Sequence, residues 1–485
     1  MKTITIDPIT RLEGHGKIEI FLNEAGNVEN AYLQIPELRG FEKFAEGRRA
    51  EDMPIITPRI CGVCPVAHHL ASTKALDSAF NVEPTDTAKK LRELMNCGYF
   101  IYDHTLHFYF LGGPDFVVGP DAPKADRNIF GVLKKVGLDV GREVIKHRAY
   151  GQKMTSILGG KATHPTSGLP GGISKGLNQE EREEMEKMAL SSVEFAKFSL
   201  KIFDDIVLAN KGYVDLIVSD PYQLNVYNMG LVDENNHVNF YDGEIRVTDQ
   251  EAKEFAKFRS NEYLDNICEH VEPWTYSKFT YLKKLGWNGF NEGPESGIYR
   301  VGPLGRLNAA DGMSTPLADE EYKRMYETLG GKPVASTLAF HWARLIELLN
   351  AAERAVELSQ DPNITDTDLR NPVNEPGEGF GVVEAARGTL LHHYKIDNNG
   401  LVEKANLIVA TTNNYADICM SIRDAAKGVI KNGEVNDGLL NLVEMAFRAY
   451  DPCFGCSTHS LPGEGPITVN LYDHKKEFIR TIERK

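Results

Sequence analysis

Two cysteine pairs with the same internal spacing lie near opposite ends of the chain. The N-terminal clip is Cys61 and Cys64, and the C-terminal clip is Cys453 and Cys456; together we call them the thiol cluster. A C-x-x-C pair lets two sulfurs face one ion, and four thiolates restrict that ion to zinc, iron, nickel or Cu(I). A shared ion would join the first folded segment to the last, which argues against a small independent zinc ribbon.

Charged and protic side chains flank both clips. Arg59 and Asp451 each lie two residues before the first cysteine of a clip, and His68 and His459 follow the second cysteine. These groups can exchange hydrogen bonds and protons with sulfur, which suits a metal that changes charge during turnover. Spacing alone favours structural zinc, with iron-sulfur and nickel as alternatives, but the flanking residues shift the balance toward a redox metal.

Length and composition indicate a globular protein with a large core. The chain has 485 residues, of which 42% are hydrophobic and 25% are charged. The formal net charge of −15 disfavours a nucleic-acid partner, because phosphate binding requires clustered Lys and Arg. No apolar run approaches the roughly 20 residues of a membrane helix, and the N-terminus lacks a signal-peptide core. We therefore expect a cytoplasmic protein whose seven cysteines stay reduced.

Sequence periodicity predicts the elements that position the clips. The longest predicted helix covers residues 178–209, where apolar residues recur every three or four positions. Further helices are predicted over residues 65–80, 87–111, 336–358 and 417–431. Strands are predicted over residues 17–22, 31–35, 216–226, 238–247, 390–396 and 401–410, with a loop over 360–379. We expect a mainly α fold, a bundle of long helices with small peripheral β-sheets as α+β decoration. The glycines inside the clips, Gly62 and Gly455, are expected to give each turn its backbone freedom.

Five motifs in the chain resemble those of nickel-iron hydrogenase large subunits. They are R-x-E-G-H at residues 11–15, R-G-x-E at 39–42, R-x-C-G-x-C-x-x-x-H at 59–68, E-A-A-R-G at 384–388 and D-P-C-x-x-C-x-x-H at 451–459. The resemblance covers nearly the whole chain and implies a single domain over residues 1–485. Within this family, the chain is similar to the methyl-viologen-reducing hydrogenases of methanogens, which do not reduce deazaflavin. The deazaflavin-reducing and NAD-reducing enzymes are alternatives. The implied reaction is reversible heterolytic cleavage of dihydrogen.

The resemblance implies a nickel-iron centre on the thiol cluster. All four cysteines would bind nickel, and Cys64 and Cys456 would also bridge to an iron that carries carbon monoxide and cyanide. His68 resembles the histidine that hydrogen-bonds a bridging sulfur, although a plain core histidine is the competing interpretation. Thiolates donate strongly to nickel and stabilise its higher oxidation states, so the ligand set is coherent with this chemistry.

A second metal and a processing step are also implied. Glu42, the carbonyl of Leu407 and His459 match the ligands of a structural Mg²⁺ site, where the imidazole leaves Fe²⁺ as an alternative. Family members are commonly cut by a maturation protease just after the residue equivalent to His459. Here 26 residues follow, Ser460–Lys485, and they form either a removable extension or a retained strand near residues 466–471.

The resemblance also assigns proton chemistry. Glu13 matches the first proton acceptor, and a partly buried carboxyl near thiolates would have a raised pKa. Arg387 matches an arginine held above the metals by Asp103 and Asp451, where a permanent cation could polarise dihydrogen or serve as a base. A structural salt bridge is the alternative for this arginine. Ala386 stands where many relatives have proline, which puts the shape of this segment in question.

Electrons must leave through a partner, because the remaining cysteines are scattered as Cys97, Cys268 and Cys419. The resemblance implies a small iron-sulfur subunit. In methanogens it also implies an adaptor that leads to heterodisulfide reductase. Two other functions stay open from the sequence. One is the quinone-binding subunit of respiratory complex I, whose members have lost these cysteines. The other is a structural zinc-thiolate protein without redox activity, which would not explain Glu13 or Arg387.

Overall fold

Long helices form the centre of the protein in a computed structural model, which describes residues 2–458, 467–472 and 477–484. The α-helices are α1 (Phe41–Ala45), α2 (Met53–Ile56), α3 (Pro65–Ala79), α4 (Asp86–Leu106), α5 (Pro114–Val117), α6 (Ile129–Val136), α7 (Leu138–Gly159), α8 (Gln179–Phe203), α9 (Lys211–Ile217), α10 (Tyr263–Asn266), α11 (Gly302–Ala309), α12 (Pro316–Thr328), α13 (Phe340–Gln360), α14 (Ala410–Val429) and α15 (Asp437–Arg448). Helix α4 packs against α7 and α13, and α13 packs against α8. Among the described residues, no helix combines the length and apolar character needed to cross a bilayer.

Small sheets surround the helices. The strands are β1 (Lys2–Ile6), β2 (Lys17–Leu22), β3 (Val28–Gln34), β4 (Gly168–Leu169), β5 (Gly172–Ile173), β6 (Tyr227–Val232), β7 (Glu244–Thr248), β8 (Glu254–Phe258), β9 (Ile267–His270), β10 (Phe279–Leu282), β11 (Tyr299–Arg300), β12 (Glu378–Ala385), β13 (Gly388–Ile396), β14 (Val402–Ile408), β15 (Ile467–Tyr472) and β16 (Phe478–Arg484). Their sheet orders are β1-β2-β3, β11-β6-β7-β8, β12-β13-β14 and the pairs β4-β5, β9-β10 and β15-β16. This arrangement confirms the predicted fold class of a helical core with peripheral sheets.

The amphipathic helix α8 shows how local sequence produces the bundle. The Asn178 side chain accepts the N–H of Glu181 at 2.8 Å, and Glu181 accepts the N–H of Asn178 at 3.1 Å, so the two residues form a capping box. The predicted apolar stripe of the helix is buried, including Met185 and Phe195. The predicted helix over residues 178–209 is confirmed, with its last turns, Asp204–Leu208, wound as a π-helix.

Helix α3 carries the N-terminal clip and packs directly on the β12-β13-β14 sheet. Cys64 is its N-cap residue, so the position of α3 fixes one sulfur of the thiol cluster. Gly379 and Gly381 lie on one face of β12, and a Cβ atom at either would overlap backbone atoms of α3. The absence of side chains at these two positions therefore lets helix and strand approach closely.

One predicted strand is wrong, and two other predicted elements begin several residues from the observed position. The strand predicted over 216–226 is the end of α9 followed by a turn, because the Asn210 side chain accepts the N–H of Gly212 at 3.0 Å and starts a helix there. The strand predicted over 238–247 begins only at Glu244, since the Asn239 side chain accepts two backbone N–H groups and forms a turn. The helix predicted over 417–431 is α14, which begins earlier, at Ala410.

The C-terminal residues that the structure describes form a hairpin. Strand β15 pairs antiparallel with β16, with Ile467 opposite Arg484, which confirms the strand expected near residues 466–471. His459, which is a predicted metal ligand, lies outside the described residues. Whether residues 460–485 are removed stays a prediction.

We predict that Gly381→Ala destabilises the protein. The new Cβ would overlap the Ala71 carbonyl and the Ala75 amide, so α3 must shift, at a cost of about 1–3 kcal/mol in the free energy of unfolding. The matched control is Gly377→Ala, whose Cβ would lie 3.7 Å from the Ala79 carbonyl oxygen, an ordinary contact. Anaerobic denaturant unfolding of both variants measures the difference. Equal midpoints would show that α3 does not rest on these glycines.

Candidate metal centre

The four predicted sulfur ligands meet in one buried volume. Cys61 Sγ lies 3.3 Å from Cys453 Sγ, Cys64 Sγ lies 3.4 Å from Cys456 Sγ, and the two sulfurs of the C-terminal clip lie 2.8 Å apart. All four Sγ atoms lie within 4.8 Å of one another, and no cysteine of the cluster is more than 4% exposed. Soft ligand atoms from both ends of the chain thus converge on a space of ionic size.

Backbone hydrogen bonds shape the N-terminal clip. Residues Thr57–Ile60 form a 3-10 turn, and Cys61, which follows it, has an extended backbone. Its sulfur accepts the N–H groups of Val63 at 3.2 Å and Cys64 at 3.3 Å. These bonds stabilise the thiolate form and hold the clip in the geometry that lets both sulfurs face the same ion.

The N-terminal segment supports the C-terminal clip. Glu13 and Cys453 pair as an isolated parallel β-bridge, in which Phe454 N–H donates to the Glu13 carbonyl at 3.0 Å. The N–H of Cys453 donates to Thr411 Oγ1 at 3.0 Å, at the start of α14. Because two segments distant in sequence hold this clip, its position depends on the tertiary fold.

The glycines of the clips do not serve the purpose predicted for them. Gly62 and Gly455 both lack a positive φ, so neither turn requires the left-handed conformation that glycine favours. At Gly455 the requirement is space: a Cβ would lie 2.8 Å from Glu13 Oε1 and 3.0 Å from Arg39 Nη1. The expected backbone freedom is therefore wrong for both positions.

The electrostatics of the cluster fit a bound cation. Burial raises the pKa of the Cys453 and Cys456 thiols well above their ordinary value. Hydrogen bonds from those two thiols favour the Cys64 thiolate, but its contact with Cys61 and its burial outweigh them and raise its pKa to about 11. Burial also opposes ionisation of Cys61, yet hydrogen bonds from the other thiols and the charge of Arg387 lower its pKa well below the ordinary value. Among the four thiols only Cys61 has a lowered pKa, so holding all four sulfurs ionised in this buried volume requires a cation.

Glu13 lies beside the cluster, as predicted. Its Oε2 accepts a hydrogen bond from Cys453 Sγ at 2.9 Å and another from the Gly455 N–H at 3.1 Å. Burial and the negative charge of the Cys61 thiolate raise the pKa of this carboxyl, although its two hydrogen bonds partly oppose the shift. A carboxyl in direct contact with a ligand sulfur and with a raised pKa can exchange protons with that sulfur.

Arg387, Asp103 and Asp451 form the predicted ion pairs, and we call them the arginine triad. The guanidinium contacts both oxygens of Asp103 at 3.1 Å and Asp451 Oδ2 at 2.9 Å. All three side chains are buried. Burial alone would lower the pKa of Arg387, but the two carboxylates raise it well above its ordinary value. The arginine is therefore a permanent cation beside the cluster.

Arg306 fixes the strand end that presents Arg387. This fully buried guanidinium contacts both oxygens of Glu347, at 2.6 and 2.7 Å, and Glu384 Oε2 at 2.5 Å. It also donates to the Ala385 carbonyl at 2.8 Å. Removing one partner of a buried ion pair commonly costs about 3–5 kcal/mol, because the other charge stays buried without compensation. These contacts therefore hold the segment rigidly.

Ala386 does not loosen that segment, although proline is common in its place. Its N–H donates to the hydroxyl of the buried Tyr99 at 3.0 Å, a bond that proline could not make. Arg306 donates to its carbonyl at 3.3 Å, and Asn414 donates to the Arg387 carbonyl at 3.3 Å. Hydrogen bonds replace the conformational restriction that a proline ring would supply.

Of the remaining predicted site residues, the structure describes His68, Glu42 and Leu407. His68 is fully buried, its Nδ1 lies 3.1 Å from His392 Nε2, and burial lowers its pKa to about 4. The N–H of Leu407 donates to Glu42 Oε1 at 2.8 Å, so these two predicted ligands are adjacent, although the contact uses the amide of Leu407. A metal bound by Glu42, the Leu407 carbonyl and His459 stays a prediction.

Sequence reasoning missed three supporting residues, Arg306, Thr411 and His392. None of them follows a ligand spacing, and each reaches the site only through tertiary contacts. A signal existed for the first: Glu384 follows Val382 and Val383 in an apolar run, and a glutamate buried in such a run requires a cation as its partner. The sequence does not indicate which of the many arginines supplies it.

Known proteins match this chain over nearly its full length. Residues 39–135 and 143–459 match the family described as nickel-dependent hydrogenase, and residues 3–38 match one described as HoxL-like. An F420-non-reducing hydrogenase iron-sulfur subunit of Archaeoglobus profundus is 49% identical over 99% of both chains. An F420-non-reducing hydrogenase subunit of Methanothermobacter thermautotrophicus is 42% identical over 99% of this chain and 100% of its own. A crystal structure of an NAD⁺-reducing NiFe hydrogenase in the H2-reduced state superposes with a TM-score of 0.89 and 36% identity, covering 95% of this chain and 100% of that one.

We predict that metal binding to the cluster releases protons. Of four cysteines only Cys61 favours the thiolate in the metal-free protein, so one ion should displace about three protons at pH 7. Affinity should therefore rise with pH. Titration of metal-free protein with nickel(II), in calorimetry buffers of different ionisation enthalpy, measures the number. Cys97→Ser, at a buried thiol outside the cluster, should leave it unchanged; release of less than one proton would contradict the charge argument.

Proposed function

This chain belongs to the nickel-dependent hydrogenase family and is the catalytic large subunit of a NiFe hydrogenase, which cleaves dihydrogen reversibly; from this premise we propose which residues perform the chemistry. The four cysteines of the thiol cluster would hold nickel, and Cys64 and Cys456 would also hold an iron that carries carbon monoxide and cyanide. The observation that supports this assignment is the 2.9 Å contact of Glu13 with Cys453 Sγ inside a buried four-sulfur site.

Glu13 is the first proton acceptor of this proposal. When bound, the metals supply a redox-active Lewis acid that polarises dihydrogen. The proton of heterolysis needs a base next to the reacting site, and Glu13 Oε2 lies within one hydrogen bond of Cys453 Sγ. Its raised pKa makes the carboxylate a better proton acceptor than an exposed glutamate, and the Gly455 N–H holds it in place.

Arg387 supplies a fixed positive charge. Because Asp103 and Asp451 raise the pKa of its guanidinium, the arginine keeps its proton and acts through electrostatics. A preorganised buried cation stabilises developing negative charge without reorganisation at the moment of reaction. His68 belongs to the same surroundings: its buried Nε2 has no hydrogen-bond partner among the described residues, so it would be available to a bridging sulfur of the bound centre.

A second ion and a maturation step complete the proposed holoenzyme. Glu42, the Leu407 carbonyl and His459 would hold Mg²⁺ or Fe²⁺ beside β14. A maturation protease cuts after His459 and releases residues 460–485. The contact between Glu42 and the Leu407 amide supports the location, because it brings an anionic ligand to this strand.

The small iron-sulfur partner docks beside the N-terminal clip. There an open apolar cavity of about 470 Å³ is lined by Phe41, Phe44, Ile55, Ile56 and two arginines, Arg39 and Arg59. Phe44 is 50% exposed and Ile55 is 42% exposed, which suits a protein contact. The arginines favour an acidic partner face.

Arg39 connects this surface to the backbone next to the thiol cluster. Arg39 Nη1 donates to the carbonyls of Ile60 at 2.5 Å and Gly455 at 3.3 Å, so the docking surface contacts the backbone of both clips. From the iron-sulfur partner, electrons pass to an adaptor protein and then to heterodisulfide reductase, in the cytoplasm, where the reducing compartment keeps the cysteines as thiols. The names of the archaeal relatives support this subgroup.

We predict that Glu13→Gln abolishes proton uptake without disturbing the metal site. Glutamine keeps the hydrogen bond from Gly455 but cannot accept a proton, so the rate of dihydrogen oxidation should fall by about 10²–10⁴. Activity with a dye acceptor and nickel content per chain are measured on the same anaerobic preparation. Glu19→Gln, on β2, is the control and should stay active. Full activity with Gln at position 13 would exclude this carboxyl as the acceptor.

We predict that Phe44→Ser weakens binding of the small subunit. Loss of an aromatic contact at the centre of an interface commonly costs more than about 1.4 kcal/mol, which is roughly a tenfold loss of affinity. Phe130→Ser is the matched control, since Phe130 is 71% exposed on α6, away from the cavity. Co-purification and titration of the two proteins measure the effect. Equal affinities for the two variants would place the partner elsewhere.

A further inference from the structure

A buried carboxylate, Asp115 on α5, contacts two arginines from segments far apart in sequence. Its Oδ1 accepts a hydrogen bond from Arg11 Nη2 at 2.5 Å, and its Oδ2 accepts one from Arg448 Nη1 at 2.6 Å. The Oδ1 atom of Asn441 also accepts from both arginines, at 3.1 and 3.3 Å. We call these four residues the Asp115 junction. Asp115 and Arg448 are each 1% exposed, so these charges compensate one another away from solvent.

Each arginine of the Asp115 junction lies a few residues before a functional group of the site. Arg11 lies two residues before Glu13, and Arg448 ends α15 five residues before Cys453. Glu13 and Cys453 then pair as a β-bridge, and the Glu13 carboxylate accepts from Cys453 Sγ at 2.9 Å. The junction and the β-bridge therefore join the same two segments, so a shift at the first changes the geometry of the second.

Both segments turn sharply between the junction and the site. Arg11 has a φ of 60° and Asp451 a φ of 58°, in the left-handed region that residues other than glycine rarely adopt. Such conformations are unfavourable and persist only where surrounding contacts impose them. The arginines supply those contacts: Arg11 Nη1 also donates to the Leu111 carbonyl at 2.9 Å, and the Arg448 carbonyl accepts from His107 Nε2 at 2.8 Å.

Asp115 is the anion that lets two guanidinium groups share one buried place. Burial alone would raise the pKa of this carboxyl, but the charges of Arg448 and Arg11 lower it below its ordinary value, so the carboxyl is ionised at neutral pH. Glu444 supplies a second negative charge through its contact with Arg448 Nη2. Two cations and two anions are thus paired. Without the charge of Asp115, two neighbouring guanidinium groups would share one carboxylate.

We propose that Asp115 is a positioning residue for proton transfer, because it joins the segment of Glu13 to the segment of Cys453 and so holds the carboxyl against the sulfur. This inference rests on the proposed function, since it requires Glu13 to be the proton acceptor. Proton transfer needs donor and acceptor within hydrogen-bond distance, and a displacement of about 1 Å can lower a rate by about 100-fold. Asp115 acts at a distance, through the two arginines.

The test is Asp115→Asn in the intact complex, with nickel content measured on the same anaerobic preparation. Asparagine has nearly the same shape, but it carries no charge and presents an N–H to one guanidinium, so the two segments should separate. The rate of dihydrogen oxidation per nickel should fall by about 10- to 100-fold. The solvent isotope effect on that rate, measured in H2O and D2O, should rise, because proton transfer then limits turnover. A wild-type rate with a wild-type isotope effect would overturn the proposal.

A double variant separates positioning from general damage to the fold. In the Glu13→Gln background, Asp115→Asn should lower the residual rate no further, because Asp115 acts through Glu13. Two independent defects would instead multiply their effects on the rate. A double variant whose rate equals the product of the two single losses would therefore contradict the proposal.

Asp77→Asn is the matched control. Asp77 is also a buried aspartate in an ion pair, with its Oδ2 2.5 Å from Arg92 Nη1, but it lies near the C-terminal end of α3. This variant should lose stability while it keeps the wild-type rate per nickel and the wild-type isotope effect. An equal rise of the isotope effect in both aspartate variants would indicate general loosening of the core and would refute the assigned role of Asp115.

Arg11→Lys carries the test if Asp115→Asn does not fold or bind nickel. Lysine keeps a positive charge opposite Asp115 but lacks the planar fork that also contacts Leu111 and Asn441. Its rate should fall less than that of Asp115→Asn, and its isotope effect should still rise. Unchanged kinetics in this variant would count against the proposal.

The kinetics of Glu13→Gln distinguish the two levels of inference. Full activity of that variant defeats the proposed proton acceptor, and this inference fails with it. An inactive Glu13→Gln together with wild-type kinetics of Asp115→Asn leaves the acceptor in place and defeats only the positioning role of Asp115.

Discussion

The burial of several negative sulfur atoms in one place is the constraint on which the structure depends. Ligands separated by 392 residues in sequence meet within hydrogen-bonding distance, in a volume from which water is excluded. Without a cation, only one of the four thiols favours the charged form. Metal binding, deprotonation and the joining of the two chain segments are therefore one coupled process.

Buried arginines near the cluster offset the negative charge of its sulfurs, and contacts with other parts of the fold fix their positions. The arginine triad adds a permanent cation, and Arg306 fixes the strand end that presents it, through ion pairs with Glu347 and Glu384. Such buried pairs contribute little net stability compared with apolar packing, but breaking one leaves a costly isolated charge. Displacing either arginine would leave its carboxylate partners buried without a cation, and this cost keeps Arg306 and Arg387 in a single arrangement.

Gly455 connects the proton side of the site to the surface proposed for electron transfer. Its N–H donates to Glu13, while its carbonyl accepts from Arg39, and a side chain at this position would displace both groups. Glu13 and Arg39 therefore contact the N–H and the carbonyl of the same residue. In the function proposed above, this one backbone turn separates the exit of protons from the exit of electrons.

The sequence by itself determined the four cysteines of the thiol cluster, the family and most of the long helices, because C-x-x-C spacing and apolar periodicity are local properties. It predicted Glu13 and Arg387 through motifs, and their contacts with Cys453, Asp103 and Asp451 agree with those roles. Local signals failed where side chains capped backbone groups, as at Asn210 and Asn239. Only the tertiary structure decided the partners of the buried charges and the contact between His68 and His392. Those contacts join residues far apart in sequence, and nothing in the spacing of Arg306 or His392 records which buried group each will meet.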